Sequence, residues 1–498
     1  MPVKMIKSKL ATRYLFVLCG ALVLYIISCA PGILWQDSGL IQYRIWHNDI
    51  EGFYGLALSH PLFYIVGIAV KYIPLGEFAH RANMVSAVAG AIAVANMYLL
   101  VRLWTGKDMP AVIAAITLAV SHTFWRHASI IETYTLWTAL FLAELIVLLQ
   151  YAKTNRVRYL YGLGFLNGLA VAVHTLAAIP LVCYAVFIVF LLIQKKIRPT
   201  RLAIILLVWV IGALPYEYLI VRTVIQSGDV AGTLASAAFG TRWQQAVLNT
   251  SMSLKMAKES CCYILFNFPT PNLLLFFAGG YALFKMSPGR GLRNAFLAVT
   301  ALFFVFAFRY TVPDRYAFFI PFYVMASVFM GLGAHDLLGR INHKALVLGV
   351  IFFSWLPVGV YAIAPMIARN INTRKDIPYR EDSAYFLQPW KTGYRGAERF
   401  ADEALDLAEA HAVIYADVTT VAPLLLAQQI KARRPDVTMI SGTVNSKGAP
   451  PFNEQTFDSL LENRPIYVVS QKPGYCPAFV LGDYDFVETG ILWKVVAK

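Results

Sequence analysis

Residues 14–39 read YLFVLCGALVLYIISCAPGILWQDSG. The apolar run at 14–34 is long enough to cross a bilayer, and an acidic motif, Trp35-Gln36-Asp37-Ser38-Gly39, follows it directly. Four basic residues precede the run: Lys4, Lys7, Lys9 and Arg13. This pattern predicts a retained signal anchor with the motif on the far side of the membrane. A cleaved signal sequence, or a lipoprotein site at Cys29, is the alternative.

Composition extends the membrane prediction to most of the chain. Of 498 residues, 58% are hydrophobic and 14% charged, with a mean hydropathy of +0.58. Soluble domains contain roughly 45–50% apolar and about 25% charged residues. Residues 1–366 hold 28 Lys and Arg against 12 Asp and Glu, whereas residues 367–498 hold 15 against 16. The basic surplus therefore belongs to the membrane part, and the near-neutral remainder argues against a nucleic-acid partner.

Twelve apolar stretches are candidate spans: 14–34, 60–76, 82–104, 110–124, 135–152, 159–176, 178–194, 202–221, 262–284, 292–308, 317–334 and 345–366. The loops between them contain six basic clusters: Lys4–Arg13, Arg102/Lys107, Lys153–Arg158, Lys195–Arg201, Lys285–Arg293 and Arg340/Lys344. All six can be cytoplasmic only if one early stretch does not cross. The stretch 60–76 is short, carries Lys71 and is bounded by prolines, so it is predicted to lie at the interface. About eleven transmembrane helices remain.

This topology predicts two domains. Residues 1–366 form the membrane module, with an external loop at 35–80, and residues 367–498 form a small extracytoplasmic α/β domain. Strands are expected at 412–416, 437–440 and 466–469, with helices at 420–433 and 457–462, which indicates a small, mostly parallel sheet. The six cysteines show no CxxC spacing, so neither a zinc site nor a disulfide framework is predicted.

Asp37 is the first candidate for chemistry. A carboxylate at the membrane–water boundary beside Trp35 loses hydration, which raises its pKa towards that of a working general base. An interfacial acid without a catalytic role is the alternative. Glu132 stands close to a membrane end beside Arg126, either as a substrate contact or in a salt bridge.

Two further pairs of charged residues invite functional interpretations. Arg309 and Arg315 bracket a short external turn, where two guanidinium groups would suit a phosphate or, alternatively, lipid headgroups. Asp49 and Glu51 form an acidic pair for which a divalent metal is an alternative. No cofactor is otherwise predicted.

An ordered series of short motifs resembles the GT-C superfamily of membrane glycosyltransferases, in the branch of the transmembrane protein O-mannosyltransferases and their large bacterial relatives. The matching residues, in order, are Trp35, Asp37, Ser38 and Gly39; His60 and Pro61; Arg81, Asn83, Ser86 and Ala87; Phe124, Trp125 and Ala128; Glu132, Tyr134, Thr135 and Leu136; and His174 with Thr175. Two tail segments, 434–437 and 464–467, are also similar. Leu40 replaces an acid that is usual in the family, and Leu62-Phe63 replace Pro-Gly.

The resemblance implies a GT-C-like fold and transfer of a hexosyl or pentosyl group from a polyprenyl-phosphate donor to a protein, lipid or glycan acceptor, with inversion. Asp37 would be the catalytic base. Ser38, His60, Glu132, Tyr134 and His174 would line the substrate site, and Arg309 or Arg315 would hold the phosphate. The protein would lie in a bacterial inner membrane with a cytoplasmic N-terminus. A lipid-linked saccharide flippase, an O-antigen-type ligase or polymerase, and a non-catalytic scaffold are the alternatives.

Overall fold

A computed structural model describes residues 2–341, 343–368 and 377–498, with side chains from Lys9 onward. Lys4 and Lys7 of the first basic cluster lie outside the described side chains, and residues 369–376, which follow the membrane module, lie outside the described chain. The helices described in the module are α1 Pro2–Ser28, α2 Gln36–Trp46, α3 Pro61–Lys71, α4 Phe78–Thr105, α5 Asp108–Ala119, α6 His122–Ser129, α7 Tyr134–Thr154, α8 Arg158–Val173, α9 Ala178–Ile193, α10 Pro199–Ser227, α11 Val230–Phe239, α12 Gln244–Leu248, α13 Leu254–Asn267, α14 Leu275–Met286, α15 Arg290–Arg309, α16 Ile320–Arg340 and α17 Lys344–Ile367.

The long helices make this a multi-pass membrane protein. Within the described ranges, eight helices are long and apolar enough to cross a bilayer. The number rises to ten if α5 with α6, bent by 65°, and α13 with residues 271–286, bent by 113°, each count as one span. The expected span at 159–176 forms α8, a helix of 16 residues that packs between α7 and α10. The difference from the expected eleven spans therefore rests on this shorter helix.

Close helix contacts in the module depend on glycine. A Cβ at Gly279 of α14 would stand 1.8 Å from the carbonyl oxygen of Phe329 on α16, and one at Gly333 would stand 2.1 Å from that of Leu275. Only residues without a side chain let these two backbones approach so closely, and small residues serve the same purpose in other membrane helix pairs. Residues 320–334 of α16 are buried, by α14 together with α5, α15 and α4.

The helix bundle has two chemically different ends. At one end, Arg13 and Arg102 both pair with Asp108, and contacts among the neighbouring loops bring the described parts of the six basic clusters together. This is called the basic end below. The opposite end carries the acidic motif and the C-terminal domain, and is called the domain end. Both ends of α3 contact residues there, through the rings of His60 and His174 and through Lys71 and Trp46, so α3 does not cross the bundle.

The C-terminal domain is a small α/β unit. Its elements are α18 Asp382–Leu387, α19 Gly396–Leu407, β1 Val413–Tyr415, α20 Val421–Ile430, β2 Thr438–Ile440, α21 Glu454–Asn463, β3 Ile466–Val468, α22 Ala478–Asp483, β4 Tyr484–Thr489 and β5 Leu492–Ala497. The sheet order is β2-β1-β3-β5-β4. Strands β2, β1 and β3 are parallel, as expected from the sequence. The antiparallel β4–β5 hairpin adds two strands that the sequence analysis did not predict.

The domain docks on the bundle through hydrogen bonds and ion pairs. The Lys391 N–H donates to the carbonyl of Ser28 at 2.7 Å, and Arg395 pairs with Glu77 at the start of α4 at 3.0 Å. These contacts place the domain directly over the acidic motif.

Candidate active site

Asp37 lies in the first turn of α2, at the domain end of the bundle. Its side chain is accessible to solvent, although protein surrounds it on most sides. This burial raises the pKa of the Asp37 carboxyl, and the nearby charge of Arg242 only partly opposes the shift. Trp35 is fully buried against the C-terminal domain, so it is not a lipid-facing tryptophan.

Three of the motifs that are far apart in the sequence meet beside Asp37. The Ser38 hydroxyl donates to Glu132 Oε1 at 2.8 Å. The Ser86 hydroxyl donates to the Glu132 carbonyl at 2.9 Å and accepts from its N–H at 2.8 Å. Glu132 is therefore held by one serine from α2 and another from α4. No ion pair joins it to Arg126 within the described structure, so the salt-bridge alternative is not formed.

The loop before Asp37 is fixed by amides. Asn83 on α4 donates to the carbonyls of Ala30 and Gly32, at 2.9 and 3.1 Å. Gln42 on α2 donates to Asn83 Oδ1 at 2.9 Å and accepts from the N–H of Leu34 at 3.0 Å. All these bonds are shielded from water, where they hold the chain strongly. The asparagine that the resemblance singled out is therefore part of the support of the motif.

Two more carboxylates share the electrostatic field of Asp37. Burial and the Asp37 charge raise the pKa of Glu132 to about 8, although the Ser38 hydrogen bond and Arg126 oppose the change. Burial and the same charge raise the pKa of Asp314 to about 7. Asp314 precedes the turn into α16, and no local sequence motif marks it as a site residue. Only packing brings it to the motif.

Aromatic rings form one wall of this region. The rings of His60 and His174 lie 4.6 Å apart, His174 lies 5.3 Å from Tyr134, and Tyr134 lies 5.1 Å from His127. Burial, His174 and Arg44 lower the pKa of His60 well below its usual range, so its imidazole is neutral at pH 7. The structure therefore brings the rings of His60, Tyr134 and His174 together in one row. Such a row is suited to packing against a sugar or a lipid. It is less suited to binding an anion, which would require positively charged imidazoles.

Two buried cations have no carboxylate partner among the residues that the structure describes. Arg126 and Lys391 are 5% and 3% exposed, and both lie over the ring of Tyr385, at 5.4 and 5.3 Å from its centroid. Arg126 donates to the hydroxyl of Tyr316 at 2.6 Å, while no hydrogen-bond partner of its Nε lies in the described part of the chain. Lys391 donates to the backbone carbonyls of residues 388 and 390. Burial and the Arg126 charge hold the pKa of Lys391 well below its usual range.

Such an arrangement is costly unless an anion enters it. A buried charge is normally paired, and two like charges in one place add repulsion. The Arg126 charge partly opposes the rise in the pKa values of Glu132 and Asp314, so Arg126 lies within electrostatic reach of these two carboxylates. The sequence carries no local signal for Lys391, because it comes from the C-terminal part of the chain, 265 positions after Arg126.

The other arginines singled out in the sequence hold protein groups. Arg315 is 4% exposed and pairs with Glu259 at 2.7 Å while donating to the carbonyl of Phe308 at 2.8 Å. Arg309 donates to the backbone carbonyls of residues 247 and 249. A phosphate would have to displace these bonds, which connect Arg309 to residues 247 and 249 and Arg315 to α13. Arg126 and Lys391 suit an anion better.

Asp49 and Glu51 are likewise paired within the protein. Asp49 contacts Arg44 at 3.3 Å and accepts from two backbone N–H groups of its own turn. Glu51 contacts Arg222 at 2.7 Å. No cluster of three or more His, Cys, Asp or Glu side chains arranged for a metal was found in the described part of the chain.

Comparison with known proteins supports the resemblance found in the motifs. Residues 59–198 match the family model of the N-terminal domain of the protein O-mannosyl-transferase TMEM260. The matched range contains His60, Glu132, Tyr134 and His174. It begins after Asp37 and covers less than half of the chain, so it does not include the acidic motif.

Solved structures share the fold along nearly the whole chain. ArnT from Cupriavidus metallidurans bound to undecaprenyl phosphate matches with a TM-score of 0.62 at 14% identity, over 97% of both chains. The apo form of that protein matches with a TM-score of 0.61 at 15% identity, over 97% of this chain and 98% of that one. An oligosaccharyltransferase from Archaeoglobus fulgidus matches with a TM-score of 0.44 at 16% identity, over 85% of this chain and 64% of that one. The resemblance to the GT-C glycosyltransferases is confirmed.

Proposed function

We propose that this protein is a membrane glycosyltransferase that moves a sugar from a polyprenyl-phosphate donor to an acceptor hydroxyl at the domain end. One observation carries the proposal. An accessible carboxylate, Asp37, acts electrostatically on Glu132 and Asp314. Arg126, one of two buried cations without a carboxylate partner among the described residues, acts on the same two carboxylates. A base for the acceptor and positive charge for a phosphate leaving group are what such a transfer requires.

Asp37 acts as the general base. It accepts the proton of the acceptor hydroxyl, whose oxygen then forms a bond to the anomeric carbon while the bond from that carbon to the phosphate oxygen breaks. A single displacement of this kind inverts the anomeric centre and needs only one carboxylate, because phosphate leaves as a stable anion. The raised pKa of Asp37 strengthens it as a base.

Arg126 and Lys391 stabilise the phosphate. Negative charge builds on the leaving oxygen as the sugar is transferred, and two buried cations interact with it far more strongly than they would in water. A bound phosphate also favours protonated Lys391, reversing the effect that burial and Arg126 have on its pKa. Glu132 stays neutral at pH 7 and is available as a hydrogen-bond donor to the substrate.

The orientation follows from the charges at the two ends. The positive-inside tendency places the basic end in the cytoplasm and the domain end, with Asp37, outside. A donor carried by a polyprenyl lipid supplies sugar on that side without a nucleotide. The family model and the ArnT-like fold support this class of donor, and a bacterial inner membrane fits it.

The test is donor consumption by the purified protein in nanodiscs. Synthetic mannosyl-phosphoryl-undecaprenol is the probe, and loss of sugar from the lipid is followed by chromatography in the presence of membrane extract as acceptor. Asp37→Asn should abolish consumption and keep the melting temperature, because the amide preserves shape but cannot take a proton. Asp336→Asn is the control, since Asp336 pairs with Arg340 at the basic end.

Two outcomes would contradict the proposal. Wild-type turnover by Asp37→Asn would exclude this residue as the base. In proteoliposomes, movement of the intact donor from one leaflet to the other, with no release of sugar by any variant, would favour the flippase alternative.

A further inference from the structure

The C-terminal domain contacts the residues on both sides of Asp37. The indole N–H of Trp35 donates to the hydroxyl of Tyr394 at 2.6 Å, and the Trp35 ring packs on Phe400 with centroids 5.4 Å apart. Next along the chain, the Gln36 N–H donates to the carbonyl of Thr419 at 3.1 Å. Two of the three residues from 35 to 37 are therefore bonded to residues of the C-terminal domain that lie more than 350 positions later in the chain.

The backbone of Gln36 has an unusual conformation that these hydrogen bonds help to hold. Its φ is +55°, in the left-handed region that residues other than glycine adopt rarely and at a cost. A residue keeps such a conformation only when its surroundings impose it. Because Gln36 directly precedes Asp37, its conformation sets the direction in which the first turn of α2 presents the carboxylate.

The C-terminal domain also packs tightly against the first turn of α2, next to Gly39. A Cβ on Gly39 would stand 2.2 Å from the Leu34 carbonyl oxygen and 3.4 Å from Pro423 in α20. The first turn of α2 thus lies between α20 of the domain and the bundle, where Ser38 bonds Glu132. Movement of the domain would be transmitted directly to Asp37.

We propose that the C-terminal domain is a positioning element for Asp37, acting through the Tyr394 hydroxyl on Trp35 and the Thr419 carbonyl on Gln36. The inference rests on the proposed role of Asp37. Tyr394, Trp35 and Gln36 are positioning residues, since their contacts hold the chain around the base. The domain is then required for the chemical step as well as for stability.

The test compares two single-hydroxyl deletions in the same segment. Tyr394→Phe removes the bond to Trp35, whereas Thr392→Val removes a 2.7 Å bond to the Ile27 carbonyl, which also joins domain and bundle but does not touch residues 35–39. With mannosyl-phosphoryl-undecaprenol as donor, Tyr394→Phe should lower kcat about fivefold, the equivalent of one hydrogen bond, and leave the donor KM unchanged. Thr392→Val should leave both constants unchanged.

A double-variant cycle sharpens the result. Trp35→Phe keeps a ring against Phe400 but loses the indole N–H, so it deletes the same hydrogen bond from the other side. If that bond positions Asp37, the double variant Trp35→Phe/Tyr394→Phe should be no slower than the slower single variant. Multiplication of the two effects would mean that the residues act separately, and the proposal would be wrong.

A second readout works without any donor. Water-soluble carbodiimide labels protonated carboxyl groups, so the pH profile of Asp37 labelling, followed by mass spectrometry, reports its environment. Arg242, Glu132, Asp314, Tyr54 and Tyr64 are the titratable neighbours within electrostatic reach, and none is altered by Tyr394→Phe. Loosening Asp37 admits water and moves its labelling midpoint to lower pH, whereas Thr392→Val should not move it.

The two proposals fail in different ways. If Asp37→Asn consumes donor normally, the catalytic role of Asp37 is wrong. If Asp37→Asn is inactive but Tyr394→Phe matches wild type in kcat and in the labelling profile, only the positioning role is wrong. Equal losses in Tyr394→Phe and Thr392→Val would show that the domain contributes docking alone.

Discussion

Replacement of Glu132 by glutamine tests the electrostatics of the candidate site most directly. Burial and the Asp37 charge raise the pKa of Glu132 to about 8, so at pH 7 about nine molecules in ten carry it neutral. Glutamine is neutral at every pH and keeps an oxygen to accept the 2.8 Å hydrogen bond from Ser38. At pH 7, Glu132→Gln should therefore retain donor consumption within about threefold of wild type.

The difference should appear at alkaline pH. Near pH 9 about nine in ten wild-type molecules carry an ionised Glu132, which adds negative charge where an anionic phosphate must bind and leave. Wild-type kcat/KM should fall roughly tenfold between pH 7 and 9 through this group. Lys391 is present in both proteins, so the ratio of the two profiles isolates Glu132. That ratio, variant to wild type, should rise about tenfold.

Stability supplies an independent check with a defined sign. The folded pKa of Glu132 lies above its unfolded value, so its contribution to stability is full in acid and is lost as pH rises to about 8. The melting temperature of Glu132→Gln should exceed that of wild type by a margin that grows from pH 5 to 8 and then stays constant. A loss of activity of a hundredfold or more at pH 7, or a flat pH ratio, would refute a neutral Glu132 and make it a candidate base.

The remaining predictions concern phosphate binding and orientation. Arg126→Lys should raise the donor KM about tenfold, because lysine keeps the charge but loses the planar guanidinium group. Arg315→Lys should lower the melting temperature and leave the donor KM unchanged. The reverse pattern would make Arg315 the phosphate ligand. In a cysteine-free background, Lys447→Cys should react with an impermeant maleimide added to intact cells and Asn155→Cys only after lysis, and the opposite reactivity would invert the proposed orientation.

The hydrogen bond from Gln36 to the Thr419 carbonyl depends on a turn in the C-terminal domain that side-chain hydrogen bonds hold in shape. Asp417 accepts hydrogen bonds from the hydroxyls of Thr419 and Thr420 at 2.8 and 3.0 Å. These bonds shape the turn that presents the Thr419 carbonyl to Gln36. The turn precedes α20, whose residues Val421–Ala427 are buried, so the carbonyl is carried by a rigid part of the domain.

Much of the fold was predictable because its signals are local. Apolar runs and basic loops mark the spans and their common end, since crossing a bilayer depends on the composition of one continuous segment. The parallel strands at 413–415, 438–440 and 466–468 followed from short apolar runs bounded by turns. The β4–β5 hairpin lacks that pattern because β4 alternates between partly and fully exposed residues at the sheet edge.

The residues of the candidate site also fall into those that short sequence motifs mark and those that only packing brings together. Asp37, Ser38 and Glu132 were identified by sequence because each stands in a short motif directly after or between membrane spans. Asp314, Lys391 and Arg242 were not, since each owes its place to the packing of elements that are distant in the chain. For Arg315, the position in an external turn suggested a phosphate ligand, and only the structure shows its ion pair with Glu259.

The sequence by itself thus determined a membrane protein with an acidic motif after its first span, because hydropathy and the order of motifs depend only on neighbouring residues. Only the tertiary structure decided what surrounds that motif: which carboxylates share its field, which cations remain unpaired, and that a domain from the far end of the chain holds Trp35 and Gln36. Burial, hydrogen-bond partners and pKa shifts arise from contacts between elements far apart in sequence, and no local pattern encodes them.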